Sequence, residues 1–265
     1  MKILFINQEI TPYVPETPMA LLGQKLPESI QARGIEIRTF MPKWGTINER
    51  RGQLHEVIRL SGMNLVIGGN DHPLLIKVAS IPVSRVQVYF IDNEEFFSKR
   101  RMVTDDRGVE YADNGERAIF FARGVLETVK KLRWAPDIIV CQGWMGAVVP
   151  IYLKKIFSDE PCFAQTKVVT SLFSEHLQNE LGTRFKTCVE HQDVTAQDLA
   201  PYKDNFDFVE LGKLAIDYSD ALAIAAPQVN DELLDYAKSR NIPILDYAKG
   251  NIGETYMNFF ESLTK

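Results

Sequence analysis

The sequence predicts an α/β domain with a mostly parallel sheet. Short β-branched runs alternate with amphipathic stretches along most of the chain, the pattern of strands separated by crossover helices. Several of those runs are apolar throughout, as strands covered on both faces require. The 265 residues, 45% hydrophobic and 25% charged, suffice for one large soluble domain.

The first strand is read at Lys2–Ile6, "KILFI". A helix follows at about Met19–Arg33, where Leu21, Leu22, Leu26 and Ile30 share a face and Gly34 supplies a C′ glycine. The second strand is Ile35–Pro42. Between Leu54 and Ile91 three strand-like runs succeed one another with no helix between them, so antiparallel strands or a meander are expected there. The parallel pattern resumes with helix Asp113–Leu132, strand Asp137–Cys141, helix Ala147–Ile156 and strand Lys167–Phe173. Residues Ser174 to Phe206 are polar and poorly periodic, and are expected to form an irregular insertion. Helix Phe208–Tyr218, strand Ala221–Ala226, helix Val229–Lys238, a short "IPILDY" segment and a helix near Gly253–Leu263 complete the series. With no low-complexity linker and no internal repeat, residues 1–265 are read as a single domain, Rossmann-like and three-layered.

Net charge is -5, which gives no overall attraction to nucleic acid or to an anionic membrane. The basic cluster Lys99, Arg100, Arg101 is followed at once by Asp105 and Asp106 and reads as a solvated loop. The chain enters a strand without a basic-then-apolar leader, no apolar run reaches the roughly 18–20 residues of a membrane span, and the three cysteines, Cys141, Cys162 and Cys188, show no C-x-x-C spacing. A cytoplasmic protein with reduced thiols is expected.

Four histidines, His55, His72, His176 and His191, stand in no recognised ligand spacing, and no metal is expected; the nearest approach is His176 with Glu180, and Cys188, Glu190 and His191 nearby. There is no G-x-S-x-G elbow, no Walker A sequence and no complete G-x-G-x-x-G. Three segments concentrate unusual polar residues. "VYFIDNEEFFSKRR" places Asp92 and Asn93 at the carboxyl end of a strand, where open α/β sheets present ligand-binding groups. "GVEYADNGERAIFFARGVLE" places Asp113 and Asn114 before a helix, either as N-caps or as part of a polar groove shared with the first segment. In "PDIIVCQGWMGAVVPIYLKK" a turn at Gln142-Gly143-Trp144 follows a buried strand. There the indole either offers a stacking face to a sugar ring or packs strand against helix.

Taken in order, "MKILFINQEITPY", "LPESIQARGIEIRTFMPKWGTI", "HEVIRLSG", "VYFIDNEEFF", "GVEYADNGERAIFFARGVLE", "PDIIVCQGWMGAVVPIYLK" and "FVELGKLAIDYSDALAIAAPQVNDEL" resemble the N-terminal catalytic domain of glycogen and starch synthases. These are two-domain GT-B glycosyltransferases that move glucose from ADP-glucose onto an α-1,4-glucan. The resemblance covers essentially the whole chain and implies the N-terminal half of that fold. It matches Asp92, Asn93, Asp113, Asn114, Glu116 and Arg117, which it places at the groove and the inter-domain face, and it makes Asp92, Asn93, Asp113, Asn114, Arg117, Gln142 and Trp144 the substrate-binding candidates.

The departures fall on the reactive parts. Where the family's first turn reads K-x-G-G-L-x-D, this chain has Pro15 for the lysine, Thr17 and Pro18 for the glycines and Leu21 for the aspartate. A cation facing the donor phosphates is thereby replaced, and prolines remove backbone N–H donors. The family's H-D-W-H turn is Gln142-Gly143-Trp144-Met145, with a thioether where a histidine meets the transferred sugar, and Leu172 replaces the histidine of T-x-H-N. The family binds its nucleotide mainly on a C-terminal domain. About thirty residues follow "SDALAIAAPQVNDEL", fewer than such a domain needs. The expectation is a family member that is weak or inactive as an isolated chain, acting as a glucan-binding or regulatory half-domain without a cofactor. The alternative is a split glucosyltransferase completed by a separate C-terminal partner. Expected ligands are an α-glucan or a sugar nucleotide, with a homo-oligomer or a partner domain as further possibilities.

Overall fold

The structure, a computed structural model, describes all 265 residues. In chain order the elements are β1 (Lys2–Asn7), α1 (Pro18–Gln31), β2 (Glu36–Pro42), α2 (Glu49–Gly52), β3 (His55–Glu56), β4 (Met63–Ile67), β5 (Asn70–Ser80), β6 (Gln87–Asp92), α3 (Asn114–Leu132), β7 (Ile138–Gln142), α4 (Val149–Lys155), β8 (Lys167–Leu172), α5 (Phe185–Val189), α6 (Ala196–Leu199), α7 (Phe208–Asp217), β9 (Ala221–Ile224), α8 (Asp231–Ser239), β10 (Ile244–Leu245) and α9 (Ile252–Leu263). One sheet carries the order β10-β9-β8-β7-β1-β2-β6-β5-β3, with β4 paired to β5. Every neighbour from β10 to β6 is parallel, and β5 runs antiparallel to β6, β3 and β4. The meander read between Leu54 and Ile91 is this antiparallel edge.

Alternation along the central strands divides the interior into two cores, one on each sheet face. Leu4, Ile6, Ile139 and Cys141 face α3 and α4, packing with Phe120, Val125, Ile151 and Tyr152. Ile3, Phe5, Ile138, Val140 and Val169 face the other way, against Leu26 and Ile30 of α1 and Tyr256, Met257 and Phe260 of α9. No helix is long and apolar enough to cross a membrane.

Two short elements escape the sequence reading. The four residues of α2 are too few to show a period, and Glu94–Ser98 forms a single wide helical turn capped by Asn93, whose Oδ1 accepts from the Glu95 and Phe96 amides. Residues Ser174 to Phe206, read as irregular, contain α5 and α6. At the start of α3, Asp113 occupies the cap position without a side-chain cap hydrogen bond, because its carboxylate is held by Arg100 at 2.6 and 2.7 Å.

The segment from Glu94 to Val103 is tied down by one side chain. Arg117 of α3 is fully buried and donates to the carbonyls of Phe96 (2.8 Å), Arg101 (2.8 Å) and Met102 (2.7 Å) and to Asn114 Oδ1 (2.7 Å). Its guanidinium also lies over the rings of Trp44, Phe97 and Tyr111. Burial pushes its pKa down to about 10, which still leaves it charged at neutral pH. An Arg117→Met variant removes the donors to three carbonyls, that of Phe96 buried, and to an amide oxygen. It is expected to lose about 3 kcal/mol or more of unfolding free energy in urea; a loss below about 1 kcal/mol would mean that water replaces the guanidinium at little cost.

Candidate functional site

The strand order reverses at β1. The chain passes from β1 through α1 to β2 on one side and returns on the other as β7. In a parallel sheet the loops leaving such neighbouring strands part, and the crevice at their carboxyl ends is where ligands bind. Here the crevice is framed by the segment after β1, residues 8–17, and by the turn after β7.

Two close approaches set its geometry. The Gln8 amide donates to the Gln142 carbonyl (3.0 Å), and the Trp44 indole donates to the Gln8 carbonyl (2.9 Å). Gly143 turns there with φ 87°, and a Cβ on it would come within 2.7 Å of both Cβ and Oε1 of Gln8, so only glycine fits. In α1, a Cβ on Gly23 would meet the Glu9 carbonyl at 2.3 Å, which seats the helix directly on the backbone after β1.

These approaches gather a polar cluster. Gln8 Nε2 donates to Glu175 Oε2 (3.2 Å) and, at 3.4 Å, to Glu9 Oε1, while Gln8 Oε1 accepts from the Met145 amide (3.3 Å). Glu175, just beyond β8, accepts the Trp144 amide on its other oxygen at 2.8 Å. Thr17 donates to Glu9 Oε2 (2.5 Å) while its own oxygen accepts the Ala20 amide (2.9 Å) as the N-cap of α1. The Glu175 residue is half-buried with its carboxyl turned inward. Burial chiefly, and then the neighbouring Glu9 charge, push its pKa up to about 8, against the lowering effect of the Trp144 amide and Gln8. Two carboxyl groups thus face one another across an amide, with the backbone donors of the Trp144 turn already engaged. No cation belongs to the cluster.

The positions singled out by sequence are distributed around this crevice. Thr17 enters it, flanked by Pro15 and Pro18, both exposed; Leu21 is half-buried on α1. Trp144 offers its backbone N–H and not a stacking face, since its ring is 3% exposed within the larger core. Met145 is fully buried in the same core, and Leu172 packs with Leu222, Ile224 and Leu233. Gln142 points into the opposite sheet face in a row with Asn7 and Ser171, its strand neighbours, and all three side chains are buried without a protein hydrogen-bond partner.

The second group of candidates gathers elsewhere, around the Glu94–Val103 segment. Asp92 is buried, accepts from Ser98 Oγ at 2.7 Å and pairs with Lys77 at 3.0 Å. Asn93 caps the turn and donates to the Pro73 carbonyl, Asn114 donates to the Val103 carbonyl and supports Arg117, and Asp113 holds Arg100. These side chains are engaged within the protein. Of the histidines, His191 faces the Arg123 guanidinium (3.1 Å), and Cys188 lies near Glu116, so the two diverge. Sequence reading missed Gln8, Glu9 and Glu175. The signal was available, for Glu9 follows the first strand and Glu175 follows the 167–172 strand, both at carboxyl ends.

Comparison with known proteins fits this architecture. The family model for the starch synthase catalytic domain matches residues 2–242. The chain belongs to that family. It is similar to the glycogen synthase of Chlorobium limicola, 31% identical over 236 residues, spanning 88% of this chain and 47% of the relative. With the Chlorobium luteolum glycogen synthase it shares 36% identity over 181 residues, 68% of this chain and 37% of that one. Among solved structures, the catalytic domain of starch synthase IV from Arabidopsis thaliana, bound to ADP and acarbose, superimposes with a TM-score of 0.75 at 15% identity, over 96% of this chain and 52% of that one. The fold is therefore the α/β fold of that GT-B catalytic domain, and this chain spans about half the length, or less, of the glycogen synthases it matches.

The raised Glu175 pKa has a definite sign for stability. Between about pH 4.5 and about 8 the folded chain keeps a proton that the unfolded chain releases, so stability falls as pH rises through that window and levels off above it. A Glu175→Gln variant does not titrate there. Its melting temperature is expected to match the parent near pH 4 and to exceed it increasingly up to about pH 8; a difference independent of pH would show that Glu175 ionises normally.

Proposed function

We propose that this chain is a non-catalytic member of the starch synthase family, a half-domain that binds α-glucan or regulates its handling and does not transfer glucose from a sugar nucleotide. The observation that carries this is the Glu9–Gln8–Glu175 cluster, in which two carboxyl groups bracket Gln8 at the base of the crevice and the Trp144 and Met145 amides are already occupied. A diphosphate entering there meets like charge and finds no cation, and Pro15 and Pro18 present no amide hydrogen. Each preorganised donor at a developing charge is worth about 3–4 kcal/mol of barrier, so several such losses lower the transfer rate by orders of magnitude. A neutral, hydroxyl-rich ligand suffers none of this repulsion, and acarbose in the Arabidopsis starch synthase IV structure supports that ligand class.

A second reading rests on span. The chain spans 47% of the matched Chlorobium limicola glycogen synthase, and the alternative is a glucosyltransferase completed by a C-terminal half of that kind.

Purified protein given ADP-glucose and glycogen is expected to release no ADP above background, while maltoheptaose binds saturably in a calorimetric titration. Robust turnover by the chain alone would overturn the non-catalytic reading. Turnover that appears only on adding the C-terminal half of a related glycogen synthase would establish the second one.

A further inference from the structure

A second concavity lies beside the crevice. It is a groove of about 1150 Å³ bounded by the Pro12–Pro15 segment, the α2 region and the β5–β6 hairpin. It shares no residue with the Glu9–Glu175 cluster. In a chain of net charge -5 its lining contains two arginines, Arg51 and Arg85, and no carboxylate. Neither arginine enters an ion pair or a cation–π contact within the protein, whereas Lys43 and Lys77 nearby are both paired with acids. The acid nearest in sequence, Glu49 of α2, is committed elsewhere: it holds Lys43 at 2.9 Å and Lys77 at 2.7 Å, and Lys77 reaches on to Asp92. That network pins α2 and leaves the positive charge at the groove unbalanced.

Backbone strain gathers at the same place. Six non-glycine residues have left-handed φ, and three of them, Gln53 (52°), Val83 (71°) and Arg85 (60°), line this groove. Gln53 is the left-handed C-cap of α2, and Val83 and Arg85 lie in the turn joining β5 to β6, so both arginines sit at chain reversals that hold them out toward solvent. Two guanidinium groups suit a phosphate monoester, whose oxygens match their fork of N–H donors. The rest of the lining mixes amides, Asn48, Gln53 and Gln87, with apolar side chains such as Val14, Ile47 and Val78, which suits the hydroxyls and the C–H face of a sugar. The volume exceeds what a bare anion fills.

We propose that this groove binds a phosphorylated sugar, with Arg51 and Arg85 taking the phosphate and the neutral polar lining taking the carbohydrate. The groove adjoins the crevice along Pro12–Pro15 but shares no side chain with the Glu9–Gln8–Glu175 cluster; it goes beyond the function proposed above, and because it rests on Arg51 and Arg85 either can fail alone.

The test is titration of the full chain with glucose 6-phosphate, inorganic phosphate and maltoheptaose, followed by calorimetry and by chemical-shift changes of groove amides. Saturable binding of glucose 6-phosphate is expected, tighter than inorganic phosphate. Arg51→Gln and Arg85→Gln are each expected to weaken it by about tenfold or more without altering the melting temperature, since both side chains are exposed and unpaired. The proposal is overturned if glucose 6-phosphate does not bind, or if the double variant binds it as tightly as the parent. Inorganic phosphate binding equally well would also overturn it, by reducing the groove to a plain anion patch, as would groove shifts produced by maltoheptaose alone.

Discussion

The contact between Gly143 and Gln8 is the constraint on which the crevice depends. Two parallel strands bring their carboxyl ends side by side, and only a residue without a Cβ lets the turn after β7 close onto the segment after β1. Once that contact is made, Gln8 stands between Glu9 and Glu175, and the amides of Trp144 and Met145 point at side-chain oxygens. Thr17 completes the arrangement from the other direction, capping α1 and holding Glu9 with one hydroxyl. The turn after β7 is thereby closed by the chain's own carboxyl groups.

The two charge arrangements of the molecule contrast instructively. At the crevice, acids are concentrated without a cation, and the system responds by holding a proton on Glu175. Around α2, acids and lysines alternate in one chain of ion pairs, so their charges cancel locally and serve to position a loop. Neither arrangement follows from net charge. Both follow from which strand end or loop each residue occupies, and they give two neighbouring concavities opposite electrostatic character.

Much of the fold was legible because its signals are long or repeated. The helices α1 and α3 and the strands β1, β2, β7 and β8 carry apolar periods that survive without tertiary context, and Gly34 ends α1 where a left-handed residue is needed. The turn at Glu94–Ser98 and the four residues of α2 are set by Asn caps and long-range contacts, which no local window contains. At the site, Pro15, Thr17, Pro18 and Met145 stood out only as departures from a motif. The contacts made at the site were harder to read, since Glu175 comes from a polar, unperiodic stretch and meets Gln8 across a separation of 167 residues. Arg117 illustrates the converse: a charged residue matching the family pattern turns out to be wholly committed to backbone carbonyls.

The core beneath α1 is assembled from both ends of the sequence, since Ile3 and Phe5 of β1 are covered jointly by α1 and by Tyr256, Met257 and Phe260 of α9. Loop-closure entropy makes contacts between such distant segments late to form. As the polypeptide emerges, part of that face of the first strand therefore stays uncovered until residues 256–260 have followed it. A nascent chain of this kind spends its longest interval with a sticky β-surface uncovered, which makes it a natural client for folding assistance and a poor candidate for rapid refolding at high concentration.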